Sequence, residues 1–302
     1  MASDPQHWLK TLQSAFLAVP PEITQAAFDG NSKHLHRLAR LRPGERAEVS
    51  DLWEYTQDLL YTEIQDSLLE YLLPFCLQAW RDDLRGTHSE YGGFVEHFYP
   101  VLANRHVFNQ RLTPARTAAV SEFMREAILE EIDDQRGLKY QGTAARPYRW
   151  ITALTTHGVL LEDVDRLWNA WWSVDTVGRA IAAVQYVSCL IYSQNENPVF
   201  APWTPDGGGG PPCLWEFGGH LYEHRWLDKN VHFLKQALTV PGTCDLLNRA
   251  VERLAGEPEY GPAIEVQEDI PLCADTLASR CDELPRLLET TQEPGKLLEW
   301  ST

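Results

Sequence analysis

Residues 50–72 read SDLWEYTQDLLYTEIQDSLLEYL, and their apolar spacing points to the fold class. Leucine or isoleucine recurs every four residues, which places an apolar stripe along one side of an α-helix. The stripe consists of Leu60, Ile64, Leu68 and Leu72. The spacing therefore predicts one amphipathic helix through the whole stretch, with its stripe facing a core.

Acidic residues of the same stretch fall on the opposite side of the helical wheel. They are Asp51, Asp58, Asp66 and Glu70. Residues 51–100, the first acidic block, contain ten acidic and two basic residues. This excess predicts a negative face toward solvent that could bind cations, and an ordinary solvated face is the alternative.

Helix signals continue on both sides of this stretch. A short helix is expected over 21–28, and Pro74 predicts a kink or a fresh helix over 75–84. Thr113-Pro114 is a strong start signal and predicts a long helix over 115–134. Residues 175–192 are apolar almost all round, which predicts a buried helix.

The C-terminal third alternates between loop-like and helical sequence. Residues 193–219 contain four consecutive glycines, several prolines and large aromatic residues, which predicts a long loop. A lid, a docking loop and a hairpin are the alternatives for it. Helices are expected over 220–238 and 242–254. Recurring prolines in the tail predict only short helices, near 272–281 and 283–290.

These elements predict an all-α protein. We expect an irregular multi-helix bundle, built as one large or two closely packed helical domains. The polar stretch 137–146 is the expected boundary. It would divide an N-terminal helical region, 1–140, from a C-terminal helical region, 141–302, and one continuous domain is the alternative.

The composition favours a cytoplasmic protein. The chain has 302 residues, a formal net charge of −17 and six scattered cysteines without a CxxC pair. Scattered thiols fit a reducing compartment, and strong negative charge argues against nucleic acid as a partner. The N-terminus does not resemble a signal peptide, and the most apolar stretch, 177–192, is too short for a membrane span. We therefore expect neither nucleic acid nor membrane as a partner.

One string matches a metal-site spacing. Residues 220–224 read HLYEH, the H-x-x-E-H pattern of some zinc peptidases. On a helix, His220 and His224 would share a face and could bind zinc, with Glu223 as the base. A third ligand has no distinctive position, so an ordinary helix surface is the preferred interpretation. A phosphate-binding loop and a nucleophile elbow are absent from the sequence, so we expect no cofactor and favour a non-enzyme.

The segment YLLPFCLQAW at 71–80, FYPVL at 98–102 and RLTPAR at 111–116, with Val120 and Phe123, resembles small helical domains of unknown function in bacteria. Some of those domains are encoded near polymorphic toxin and immunity genes. The resemblance covers roughly residues 60–130 and implies a bacterial, cytosolic, helical protein. It implies no functional residue.

The leading hypothesis is an acidic binding protein, most concretely an immunity protein that neutralises a toxin by direct contact. A second acidic block, residues 257–302, has eleven acidic and three basic residues. Acidic faces would steer a basic partner such as a cognate toxin domain, and aromatic side chains would anchor it. The predicted contact residues are Asp58, Asp66, Glu70, Trp203, Trp215, Glu268 and Asp269. A metal-dependent hydrolase and a structural subunit of a larger assembly are the alternatives.

Overall fold

The computed structural model describes residues 7–16, 19–84, 97–98, 101–102, 107–138, 164–192 and 228–290. Of these residues 72% are helical, and no strand occurs among them. The all-α, multi-helix fold class predicted from the sequence is therefore confirmed.

Eleven α-helices lie within the described ranges. In chain order they are α1 (His7–Ala15), α2 (Lys33–Leu38), α3 (Val49–Tyr61), α4 (Asp66–Leu84), α5 (Pro114–Asp133), α6 (Val164–Trp172), α7 (Val177–Ile191), α8 (Asp228–Ala237), α9 (Val240–Arg253), α10 (Tyr260–Asp269) and α11 (Ala274–Thr290). A π-helical turn, Val107–Arg111, precedes α5. The predicted long loop, 193–219, lies outside the described residues.

The chain divides into two compact units. The first unit runs to Ile128 and the second takes up the chain at Leu129, so the division falls inside α5. The sequence placed the boundary later, between residues 140 and 141.

In the first unit, residues 62–65 separate α3 from α4, so the predicted continuous helix over 50–72 is wrong. The Gln65 side chain turns away to meet a non-helical segment, residues 22–25. Its Oε1 accepts hydrogen bonds from the backbone N–H groups of Thr24 (2.7 Å) and Gln25 (3.0 Å). Its Nε2 donates to the Glu22 carbonyl oxygen over 2.6 Å. A contact between residues 41 positions apart thus ends the helical run.

The same contact explains why the predicted helix over 21–28 is wrong. Residues 20–27 have no helical structure. Their N–H groups at Thr24 and Gln25 bond to the Gln65 side chain instead of to preceding carbonyls. Because these backbone donors are already satisfied outside a helix, the segment gains little from becoming helical.

α4 continues through Pro74, so of the two predicted alternatives, a kink or a fresh helix, the fresh helix is wrong. A proline inside a helix removes one backbone hydrogen bond. Buried side chains on both sides of it, including Leu73 and Cys76, keep the helix against the core. Of the predicted stripe, Leu68 and Leu72 are buried, whereas Leu60 and Ile64 are only half-buried beside the break.

In the second unit, α7 is the central helix and is buried on nearly all sides, as the sequence predicted. It packs against α6, α9, α10 and α11. In the described part of the chain, no single helix is long and apolar enough to cross a membrane. α6 and α7 pass that test of length and composition only together, as a pair bent by 105°.

Residues 257–290 are more helical than expected from the recurring prolines there. α11 is one helix of 17 residues, so the two separate short helices expected there are wrong. The buried side chains of Leu277 and Cys281 hold it against the core. α10 was not predicted, because the proline there argued against a helix. Pro262 lies in the first turn of α10, where backbone N–H groups have no partner within the helix, so its missing N–H costs no hydrogen bond.

Candidate protein-binding surfaces

The acidic residues predicted to face solvent in the first unit are partly buried. Asp51 and Asp58 are only 4% and 5% exposed, so their predicted outward position is wrong. Asp51 pairs with the Arg37 guanidinium of α2 through two hydrogen bonds, and Asp58 bonds to His34 of the same helix. The period of α3 could not show this, because α2 packs over that side of it.

Other carboxylates of the first acidic block also face cations. The pairs are Asp66 with Arg111, Glu70 with Arg116, and Asp82 with Arg46 over 3.9 Å. All three arginines come from outside residues 51–100. Much of the negative charge that is concentrated in the sequence is therefore compensated in space, which leaves less of it for a partner. Asp66 and Glu70 remain predicted contact residues, although each already has a partner within the chain.

Asp58 organises the surface above it. Its Oδ2 accepts a hydrogen bond from His34 Nε2 over 2.7 Å, and its Oδ1 accepts one from the Phe28 N–H over 2.8 Å. His34 is 2% exposed. On the other side of the ring, Nδ1 lies 3.1 Å from the Glu54 carboxylate, close enough for an ion pair but not aligned for a hydrogen bond. Asp58 thus positions neighbouring groups and offers little surface for direct contact.

Phe28 and Tyr61 form an exposed aromatic pair in the first unit. Their ring centroids are 4.5 Å apart, and the rings are tilted by 34°. Phe28 is 56% exposed and Tyr61 is 63% exposed. Neither residue was predicted from the sequence, because the helical pattern placed Phe28 at the end of a helix and Tyr61 inside one. Gly30, which has a φ of 74°, was the available signal for a turn at Phe28.

The second acidic block keeps several carboxylates exposed. We define the tail surface as Glu257, Glu265, Glu268 and Asp275, all of which are exposed. Among the residues that the structure describes, none of the four forms an ion pair. Glu268 was a predicted contact residue, and its exposure fits that prediction. Asp269, the other, is half-buried and accepts a hydrogen bond from the Tyr192 hydroxyl over 2.8 Å.

We expect the Tyr192–Asp269 contact to make the protein less stable in alkaline solution. Burial, and next the Asp269 hydrogen bond, raise the pKa of Tyr192 above its ordinary value of 10.0. Above that value the unfolded chain loses the proton while the folded chain keeps it, so the free energy of unfolding falls as pH rises. Between roughly pH 9 and pH 11, the free energy of unfolding measured with urea should fall less steeply with pH in Tyr192→Phe than in the native protein. Equal slopes in the two proteins would contradict this assignment.

The described tryptophans of the second unit belong to its core. Trp168, Trp171 and Trp172 pack against Tyr186, with ring centroids 5.3 to 6.3 Å from it. Trp168 and Trp171 are fully buried. Edge-to-face packing of this kind stabilises a helix junction. The predicted anchors Trp203 and Trp215 lie outside the described residues, so their role stays a prediction.

The predicted zinc-binding string also lies outside the described residues. It consists of His220, Glu223 and His224. Across the ranges that are described, no group of three or more His, Cys, Asp or Glu side chains could hold a metal ion. The hydrolase hypothesis stays a prediction, as does the structural-subunit hypothesis.

Comparison with known proteins leaves the family open. No family model, curated protein or solved structure matches the chain. The resemblance of residues 60–130 to bacterial domains near toxin and immunity genes therefore stays a prediction. The two surfaces described above are the basis for a functional proposal.

Proposed function

We propose that the chain is a binding protein that docks a cationic protein partner through the tail surface. Most concretely, it is an immunity protein that neutralises a toxin in the cytoplasm of the producing bacterium. The observation that carries the proposal is the exposure of Glu257, Glu265, Glu268 and Asp275 without an ion pair in the described ranges. This contrasts with the first acidic block, whose carboxylates largely face arginines.

The charge distribution along α10 supports a functional role. Glu265 and Glu268 lie one turn apart on the outer side of the helix, opposite the buried Ala263 and Val266. Like charges at this spacing repel each other, and Glu268 and Asp269 at the C-terminal end oppose the helix dipole. The last turn has no basic residue. The arrangement costs a few tenths of a kcal/mol per residue, roughly, and a cationic partner would offset that cost.

Exposed charge of one sign mainly accelerates and directs association. A negative surface raises the encounter rate of a positive partner by about 10- to 1,000-fold at low salt. Buried contacts then determine how slowly the complex dissociates. The tail surface is therefore expected to govern the association rate and its dependence on salt.

The test compares two variants of equal net charge. The tail variant carries Glu257→Gln, Glu265→Gln, Glu268→Gln and Asp275→Asn. The control variant carries Glu22→Gln, Glu48→Gln, Asp134→Asn and Glu252→Gln, which also neutralise four exposed carboxylates. Both proteins lose the same total charge, so a difference between them reports the position of the charge.

We expect the tail variant to capture its partner from a lysate of the native host about tenfold less well than the control variant does. Capture by the native protein should weaken between roughly 50 and 300 mM salt. Expression of the captured protein alone should arrest growth, and coexpression of the native chain should restore it. Equal capture by both variants, or a captured protein without toxicity, would rule out the proposed function.

A further inference from the structure

The Phe28–Tyr61 surface, defined by Phe28, Asp29, Tyr61 and Glu63, combines exposed aromatic rings with exposed carboxylates. Scattered apolar side chains on a surface are common, but two exposed rings in contact present a continuous apolar area. We propose that this pair is the docking site for an arginine side chain of a cationic peptide segment. The site consists of different residues from the tail surface and does not rest on the function proposed above.

A buried carboxylate lies next to the aromatic pair and holds one of its two backbone segments. The buried Asp58 carboxylate fixes Phe28 through its backbone N–H, and Tyr61 follows Asp58 by three residues at the end of α3. The backbone at Phe28 is therefore tied to α3, the helix that carries Tyr61, and His34 holds the same carboxylate from α2. Rings that are fixed before binding lose little conformational freedom when a ligand arrives.

Charge beside the rings selects a cation. Asp29 follows Phe28 directly, and Glu63 lies two residues beyond Tyr61. The Asp29 Oδ1 accepts a hydrogen bond from the Asn31 N–H over 2.7 Å, which orients this carboxylate and leaves its Oδ2 available. Neither Asp29 nor Glu63 forms an ion pair within the ranges that the structure covers. An apolar occupant would leave both carboxylates without a partner.

The combination favours a guanidinium over an ammonium group. A guanidinium is planar and weakly hydrated, so it can stack on an aromatic face while its edge donates to carboxylates. An ammonium is a strongly hydrated point charge and gains less from a flat ring. Arginine is also the cationic residue that is enriched at the centres of protein interfaces.

The experiment uses a short blocked peptide of alternating glycine and arginine as the probe. Peptides with lysine or with uncharged citrulline in place of arginine are its controls. Ring signals of the full-length protein, labelled at Phe and Tyr, are followed by NMR during each titration. We expect the Phe28 and Tyr61 signals to move with the arginine peptide. Its association constant should exceed that of the lysine peptide by about threefold and that of the citrulline peptide by about tenfold.

Three variants show whether binding is local. Tyr61→Leu should weaken binding of the arginine peptide about fivefold. Tyr260→Leu removes another exposed tyrosine, which is 38% exposed and lies in the second unit, and should leave binding unchanged. Glu63→Gln should weaken binding and reduce its dependence on salt.

Several results would overturn the proposal. They are ring signals of Phe28 and Tyr61 that do not move, equal binding of the citrulline peptide, and equal effects of Tyr61→Leu and Tyr260→Leu. Ring signals that shift with protein concentration in the absence of peptide would also overturn it, because a second copy of the chain would then cover the pair. The peptide series needs no variant, so the proposal remains testable if a substitution disturbs folding.

Discussion

Replacing Asp58 with alanine is expected to lower the free energy of unfolding by about 2–4 kcal/mol. The change removes the acceptor of two hydrogen bonds, one from His34 Nε2 and one from the Phe28 N–H. Because His34 is almost fully buried, its ring nitrogen would lose its protein partner without gaining water. Phe28 would also lose the bond that holds it beside Tyr61. Urea unfolding followed by circular dichroism measures the loss of stability.

Asp66→Ala is the matched control for this substitution. The Asp66 side chain pairs with Arg111 but is 61% exposed, and an exposed ion pair contributes less than about 1 kcal/mol. Hydrogen exchange should become faster in α2 and α3 for Asp58→Ala and stay nearly unchanged for Asp66→Ala. An equal loss of stability in the two variants would contradict the structural role assigned to the buried carboxylate.

The contrast between Asp58 and Asp66 shows what the helical period could not reveal. Both residues fall on the polar side of the predicted helix, since the wheel depends only on positions along one chain segment. Their surroundings come from elsewhere: His34 on α2 buries Asp58, and Arg111, 45 residues away, pairs with Asp66. Burial of a polar residue by a distant segment leaves no trace in local spacing.

Helix starts and apolar faces were more accessible from the sequence, because local geometry sets them. Thr113-Pro114 predicted the start of α5, and the Thr113 side chain does accept a hydrogen bond from the Arg116 N–H over 3.4 Å. The apolar run of α7 predicted its burial. The predicted helix over 50–72 was wrong because a distant contact, not local geometry, decides its end. Gln65 bonds to the distant residues 22–25. The exposed pair of Phe28 and Tyr61 was not predicted for the same reason, because Tyr61 ends α3 and Phe28 follows the non-helical residues 20–27.

Substituting alanine for Gly178 is expected to destabilise the protein by about 3 kcal/mol. Gly178 is the second residue of α7 and lies against the end of α5. A Cβ atom there would overlap the carbonyl oxygen of Ile132 and lie 2.8 Å from the carbonyl carbon of Asp133. These are backbone atoms of a helix, so they cannot move aside as a flexible side chain could. The helices would have to separate locally.

The separation would also strain a hydrogen-bond network at the same junction. Arg179 donates to both carboxylate oxygens of Asp133, over 2.8 Å and 3.0 Å. The Thr176 hydroxyl donates to Asp133 over 2.6 Å and accepts from the Arg179 N–H over 3.1 Å, which caps α7. Asp133 is thus used to join α5 to α7, which explains an acidic residue at a helix end that would otherwise be unfavourable.

Gly261→Ala provides the matched control, because it makes the same chemical change in another helix of the second unit. A Cβ atom at Gly261 would meet nothing within 4 Å. Alanine is the better helix former by up to about 1 kcal/mol, but Pro262 follows directly and disfavours helical backbone at a preceding residue that has a Cβ atom. These two effects oppose each other, so the stability of this variant should stay within about 1 kcal/mol of the native value. The urea midpoint should therefore fall clearly for Gly178→Ala and change little for Gly261→Ala. A stabilised Gly178→Ala protein would show that α5 and α7 do not approach each other this closely.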